Sequence, residues 1–226
     1  MHKTQPKYHS KLYRDFKTIE AGSPHNVIRF YEKHENAIRR LEYDEFYDLL
    51  KDYVTALYNS GAYRKHLLMV DTVIEASLQG QYPTYLERAI FRDMLYQKAV
   101  SLFNNLQLNE ADYITRELIR IDPYDQESIH LLRRILLREQ PNYIRTTRAA
   151  SVFLFMLSAT VIALELLFIR HFYDLYTPYV EASRNMIFAA GGALLVGGWL
   201  YQHWEVEKEV NDFVQRNRKE KNVRLF

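Results

Sequence analysis

Cysteine is absent from all 226 residues, which excludes disulfides, thiolate metal sites and a cysteine nucleophile together. Glycine is scarce: of the seven, Gly191, Gly192, Gly197 and Gly198 crowd into one apolar run near the C-terminus. The other three, Gly22, Gly61 and Gly80, leave the N-terminal part with almost none of the turn punctuation that strands require. The six prolines fall between periodic segments, where a helix must start or stop. No stretch sustains period-two alternation, so the chain reads as all-α. Strong net charge is also missing, at +2, so no global field points to nucleic acid. The first twenty residues, polar and basic, hold no apolar core of a secretory signal, and the N-terminal part is expected to stay on the side where it is made.

Catalytic patterns are missing as well. The eight histidines are scattered without an HExxH pair, and no phosphate-binding, dinucleotide or nucleophile-elbow glycine motif occurs. Asp44-Glu45 and the Glu205/Glu207/Glu209 set read as solvated helix faces. The expectation is a protein that is not an enzyme, with no catalytic, cofactor-binding or metal-binding residues and no nucleic-acid partner.

What is present is apolar length. Ala149–Ile169 runs for 21 residues interrupted only by Glu165, enough for a helix to cross hydrocarbon. Met186–Tyr201 adds 16 uncharged residues, roughly 24 Å of helix, short for ~30 Å of hydrocarbon unless His203 and Trp204 extend it. Two spans, about 149–169 and 186–204, therefore form an expected transmembrane hairpin. Arginines and lysines gather before the first span and after the second, while the short loop between them is nearly neutral. The positive-inside rule then puts both termini in the cytoplasm, in a bacterial inner membrane or an equivalent one. Tyr173, Tyr176 and Tyr179 would mark the outer interface, and Tyr201 and Trp204 the inner one. Arg145, Arg148, Arg216, Arg218 and Lys219 are placed to meet anionic headgroups. Ala189, Ala193 and Gly197 recur every four residues, a spacing that lets helix backbones approach in lipid. Their partner is either the first span or another helix, a second copy of the chain included. Glu165, four residues from the span's end, is expected to reach the interface beside Arg170 or His171.

Helical periodicity organises the rest. Ser23-Pro24 starts a helix that carries Val27, Tyr31, His34, Ile38 and Leu41 at helical spacing. Further helices are expected at about 43–59, 62–79, 84–105, 109–121 and 125–139, with breaks at Ser60-Gly61, Gly80 and Pro123. Short connections force successive helices to be antiparallel. Residues 1–22 read as a basic, mobile lead-in with a short helical turn near Tyr13–Ile19.

Leu106–Asp125 (LQLNEADYITRELIRIDPYD) resembles the second half of a tetratricopeptide repeat. Ala111, Leu118, Ile119 and Pro123 fall on its small, apolar, apolar and proline positions, and Leu95 and Ala99 match the preceding helix. Lys98 and Thr115 depart from the pattern. A weaker copy, Tyr47–Leu78, matches at Gly61 and Tyr63 but has His66 at the small position. The two copies lie 45 residues apart, from His66 to Ala111, against about 34 in the family, so an insertion near Gln79–Tyr85 is required. An irregular helical bundle is the alternative. The resemblance implies a concave surface that binds a peptide or partner helix, with Ala99, Ala111, Leu118 and Pro123 packing the repeat.

The sequence thus divides into a basic segment 1–22, a tetratricopeptide-like helical domain 23–140, a membrane hairpin 141–204 and a charged tail 205–226. The function expected is a membrane-anchored adaptor or assembly factor with an unidentified protein partner. An accessory subunit of a membrane transporter or enzyme complex is the competing class.

Overall fold

The computed structural model describes residues 10–19, 23–78, 84–139, 142–169 and 177–224. Every regular element among them is helical: α1 (Lys11–Lys17), α2 (Pro24–Ile38), α3 (Tyr43–Asn59), α4 (Tyr63–Leu78), α5 (Thr84–Asn104), α6 (Leu108–Ile121), α7 (Gln126–Arg138), α8 (Asn142–Leu164) and α9 (Thr177–Arg224). A π-helical turn, Glu165–Ile169, extends α8. The chain forms two compact units, Met1–Leu131 and Leu132–Phe226, which meet inside α7.

Local chemistry sets the helix ends of the first unit. Pro24 opens α2 with its φ already helical and no N–H to orphan. The Ser23 hydroxyl accepts from Asn26 Nδ2 at 3.2 Å instead of capping a backbone N–H. α3 stops where Gly61 takes a φ of 76°. There the Ala62 N–H donates to Leu57 O and the Gly61 N–H to Tyr58 O, both at 3.0 Å, the paired bonds that close a helix on a left-handed residue. The same closure recurs 45 positions later at the end of α5. Leu106 has a φ of 65°, its N–H reaches Phe103 O at 3.2 Å, and the Gln107 N–H reaches Leu102 O at 3.0 Å. A leucine in that conformation costs on the order of 1 kcal/mol that a glycine avoids.

Buried positions repeat at the same offset: Val54 and Ala99, Leu57 and Leu102, His66 and Ala111, Val70 and Thr115, Val73 and Leu118. The offset relates α3–α4 to α5–α6, and from α2 to α6 each helix packs on the next. The core seals Ile38, Leu49, Leu50, Leu57, Val70 and Val73 completely, and Tyr31 stacks on Tyr53 at 4.0 Å. The expected Gly80 cap lies outside the described residues.

Where the lead-in is described it forms α1. α1 is docked, with Phe16 buried and edge-on to Phe30 of α2 at 5.6 Å. Its N-cap Ser10 accepts from the Tyr13 N–H at 3.2 Å. The basic composition concealed this because one aromatic anchor carries the docking.

In the second unit α8 and α9 pack as an antiparallel pair. Tyr143 meets Tyr201, Phe155 meets Phe188 and Glu165 meets Arg184, so position rises on one helix as it falls on the other.

Candidate functional site

Of the described helices one, Asn142–Leu167, is long and apolar enough to cross a membrane, with a mean hydropathy of 2.2 and only 17% of its apolar stretch buried. The second apolar run is not an independent short span. It is the middle of α9, a continuous 48-residue helix, about 72 Å long at 1.5 Å per residue. Its four glycines and the polar Gln202 and His203 keep it below the apolarity of α8.

The face that α8 turns to α9 repeats every seven residues: Ile144, Ser151, Ser158 and Glu165 are all buried. Seven residues make nearly two full turns, so these side chains form one narrow seam. Gly198, Gly191 and Arg184 recur at the same interval on α9. A Cβ at Gly191 would lie 3.0 Å from Phe155 Cε1 and 3.3 Å from Leu154 Cβ; one at Gly198 would lie 3.2 Å from Thr147 Oγ1. The backbones approach there because neither glycine carries a side chain. Ser151 returns its hydroxyl to Thr147 O at 2.9 Å, leaving no unmet donor in the seam at that level.

At one end of the seam Arg184 Nη1 donates to Glu165 Oε2 at 2.9 Å, with the Glu165 side chain only 4% exposed. Arg170 and His171, the expected neighbours of Glu165 at an interface, lie outside the described residues; the Glu165 carboxylate pairs across the hairpin. It points inward to a partner 19 residues away, in the first turn of the π-helix. Periodicity could not reveal this, since the partner lies across the hairpin. At the other end the Tyr143 hydroxyl donates to Glu205. Beyond it Arg133 grips Glu207 through two hydrogen bonds of 2.7 and 2.9 Å, and Gln202 Nε2 donates to Leu137 O at 3.2 Å near the end of α7. Glu205 and Glu207 thus stand at exposed positions but make specific contacts.

Outside the seam the polarity reverses. Val152, Phe153, Met156, Leu157, Ile162 and Leu164 on α8 are exposed, as are Phe188, Val196, Trp199 and Leu200 on α9. Phe153 and Met156 are each 66% exposed. Between Ser151 and Glu165 the buried positions of α8 are polar, while large apolar residues are exposed; Ile144 of α8 and Val206, Val210 and Val214 of α9 are buried beyond that stretch.

Of the two alternatives for the small-residue face of α9, the described structure does not show the contact with α8. Ala189, Ala193 and Gly197 are all exposed, and a Cβ on Gly197 would meet nothing within 4 Å. They do not close the hairpin; Gly191 and Gly198 do. Both sets have helical spacing, so composition could not choose between them.

The basic residues split into two levels. Arg145 and Arg148 are exposed on α8 near the aromatic group Tyr143, Tyr201 and Trp204. Arg216, Arg218 and Lys219 begin 12 positions after Trp204 on the unbroken α9, about 18 Å farther along the axis. The two basic groups are therefore separated by more than a Debye length of ~8 Å along α9. Tyr179 is exposed; Tyr173 and Tyr176 lie outside the described residues.

In the first unit Ala99, Ala111, Leu118 and Pro123 are all buried, and Thr115, although polar, is buried with its hydroxyl on Ala111 O at 2.7 Å. His66, at the position equivalent to Ala111, is fully buried with Nδ1 2.9 Å from Ser101 Oγ. Burial pushes its pKa down to about 4, against smaller opposing effects of Gln97 and Asp71, and His66 is therefore neutral at physiological pH. Among the described residues no group of three His, Asp or Glu side chains is arranged to hold a metal ion.

No protein-family model matches the chain, and neither a curated protein nor a solved structure does.

Proposed function

We propose that this protein is a membrane-anchored adaptor or assembly factor. In this reading α8 and the adjoining part of α9 cross the membrane as a hairpin, both termini are cytoplasmic, and the first unit presents a protein-binding surface. The observation that carries it is the inverted polarity of the hairpin. A shell of exposed Phe, Met, Leu, Val and Trp around a seam of Ser, Gly and a Glu–Arg pair suits hydrocarbon outside and is costly in water. The 45-residue recurrence of buried positions and helix closures supports a tetratricopeptide-like repeat, and stacked repeats leave an extended inner surface free for a partner. No residue is assigned a catalytic or cofactor role. The test is capture of the tagged chain in mild detergent with identification of bound proteins, together with reporters at the N-terminus, near Thr177 and at the C-terminus. The expected result is resistance to alkaline extraction, cytoplasmic reporters at both ends, and a partner lost when the first unit is removed. Release of the chain by alkaline carbonate would contradict the reading.

A second reading, an accessory subunit of a membrane complex, is favoured by one feature: the outward Ala189, Ala193 and Gly197 would admit another helix closely. Ala193→Leu with Gly197→Leu separates the two. The pair breaks the assembly under the subunit reading and leaves partner capture unchanged under the adaptor reading.

A further inference from the structure

In the second unit the end of α7, the first turn of α8 and the stretch of α9 after Tyr201 enclose a cavity of about 390 Å³. Leu136 and Val206 give it apolar surface, and Glu139, Asn142, Gln202 and Glu205 supply polar groups. Gln202 is the most telling of these, being only 6% exposed. Its Nε2 donates to Leu137 O at 3.2 Å, but its Oε1 accepts no hydrogen bond among the described residues. That oxygen is not sealed from solvent, so it opens onto the cavity that Gln202 lines. A polar atom on so buried a side chain normally has a partner.

Glu205 follows Gln202 by three positions and shares its helix face. The Tyr143 hydroxyl donates to Glu205 Oε2, and Oε1 accepts nothing among the described residues. Neither Glu205 nor Glu139 forms an ion pair among the described residues. A free amide oxygen between two carboxylates without a cation suits a ligand that carries positive charge and donates several hydrogen bonds. An ammonium with N–H groups does both.

The position of the cavity shows where such a group comes from. Asn142 begins the one described helix of membrane-crossing length, and Tyr143, Tyr201 and Trp204 form the aromatic cluster at that level. In a membrane hairpin this is the headgroup region. Arg145 is exposed, on the Asn142 face of α8 and about 4.5 Å closer to the hydrocarbon. In a zwitterionic phospholipid the phosphate lies between the acyl chains and the amine. A phosphate at Arg145 therefore sends the amine outward, toward the cavity.

We propose that this cavity binds the primary ammonium of a zwitterionic membrane lipid, with Gln202 Oε1 and the carboxylates of Glu205 and Glu139 as acceptors and Arg145 on the phosphate. The inference rests on the reading of α8 and α9 as a membrane hairpin and names a lipid that the hairpin holds.

Four probes are titrated into the full chain in detergent, with bound copies counted by native mass spectrometry. They are phosphatidylethanolamine, phosphatidylcholine (methyl groups in place of the N–H groups), phosphatidylglycerol (no amine) and free ethanolamine. Phosphatidylethanolamine binds more tightly than each of the others by a factor of roughly ten or more. Glu139→Gln with Glu205→Gln removes the charge, keeps an acceptor for the Tyr143 hydroxyl, and erases that preference. Arg145→Gln weakens phosphatidylethanolamine and phosphatidylglycerol alike. Gln202→Leu also erases the preference; if that variant unfolds, as read by circular dichroism, the glutamate pair decides the question. Equal binding of phosphatidylethanolamine and phosphatidylcholine, or a preference that survives loss of both carboxylates, overturns the proposal. Free ethanolamine binding as tightly as the lipid also overturns it, by making the cavity a site for a soluble amine. A chain that resists alkaline carbonate yet shows no preference loses this inference alone. One that carbonate releases loses the membrane reading as well.

Discussion

The two units share one vocabulary of helices and use it with opposite polarity. The first buries Leu49, Leu50, Leu57 and Val73. In the second, Leu132, Ile135, Val206, Val210 and Val214 are buried in the same way, but the α8 stretch from Ser151 to Glu165 buries Ser151, Ser158 and Glu165 and exposes Phe153 and Met156, as α9 exposes Trp199. The comparison teaches that burial follows the solvent rather than the residue type. In water the apolar stripe of a helix must hide. Where the surroundings are apolar, close backbone contact and polar pairing hold helices together instead.

The largest expected effect that would break this comparison is at Glu165. Glu165→Leu leaves Arg184 without its carboxylate inside the seam and should cost about 3–5 kcal/mol of hairpin stability. Glu165→Leu with Arg184→Leu should recover most of it. Thermal midpoints of the full chain in detergent check both, and an additive double variant would mean that the pair does not couple.

Next in size is the pH dependence of the first unit. His66 has a folded pKa of about 4 against about 6.5 when unfolded. The buried ring disfavours the cation, so protonation favours unfolding. The stabilisation is fully present above pH 6.5, declines as the pH falls, and is lost below about 4. The difference amounts to about 3 kcal/mol. Melting curves of wild type and His66→Gln between pH 7 and 4 should converge as the pH falls; parallel curves would mean that His66 does not titrate as its burial implies.

Ala111→Phe should destabilise the first unit by about 1–3 kcal/mol through overpacking, while Asn109→Phe, on an exposed position, should change little. Equal midpoints for the two would remove Ala111 from the closest approach of α5 and α6. The smallest effect has the opposite sign. Leu106→Gly should stabilise by up to about 1 kcal/mol, because the left-handed conformation at φ 65° suits glycine.

Much of this fold was legible in the sequence. α3 falls on 43–59 as its periodicity and the Ser60-Gly61 break indicate, and the other helices of the first unit lie within a few residues of their expected limits. Glycine, proline and the 3.6-residue period are local signals and survive without tertiary information. What was not legible depends on pairing across the fold. Ala189, Ala193 and Gly197 and the pair Gly191 and Gly198 carry the same spacing signal, and only the position of α8 distinguishes them. The pairing of Glu165 with Arg184 was not legible because the two lie 19 positions apart, on different helices. The second run read as a short span because α9 continues through the charged segment after Trp204 without a break. The docking of α1 was not legible because a single buried Phe16 anchors it within a basic segment.

The most direct test of the inverted hairpin uses the natural absence of cysteine. Single cysteines at Phe153, Met156 and Val196, and at Ser151 and Ser158, would be spin-labelled in the full chain after reconstitution into lipid vesicles. The account predicts that the first three collide freely with dissolved oxygen and hardly at all with a water-soluble nickel chelate, while the two seam positions are shielded from both. Ready access of the nickel chelate to Phe153 and Met156 would mean that this face meets water, and would contradict the central claim.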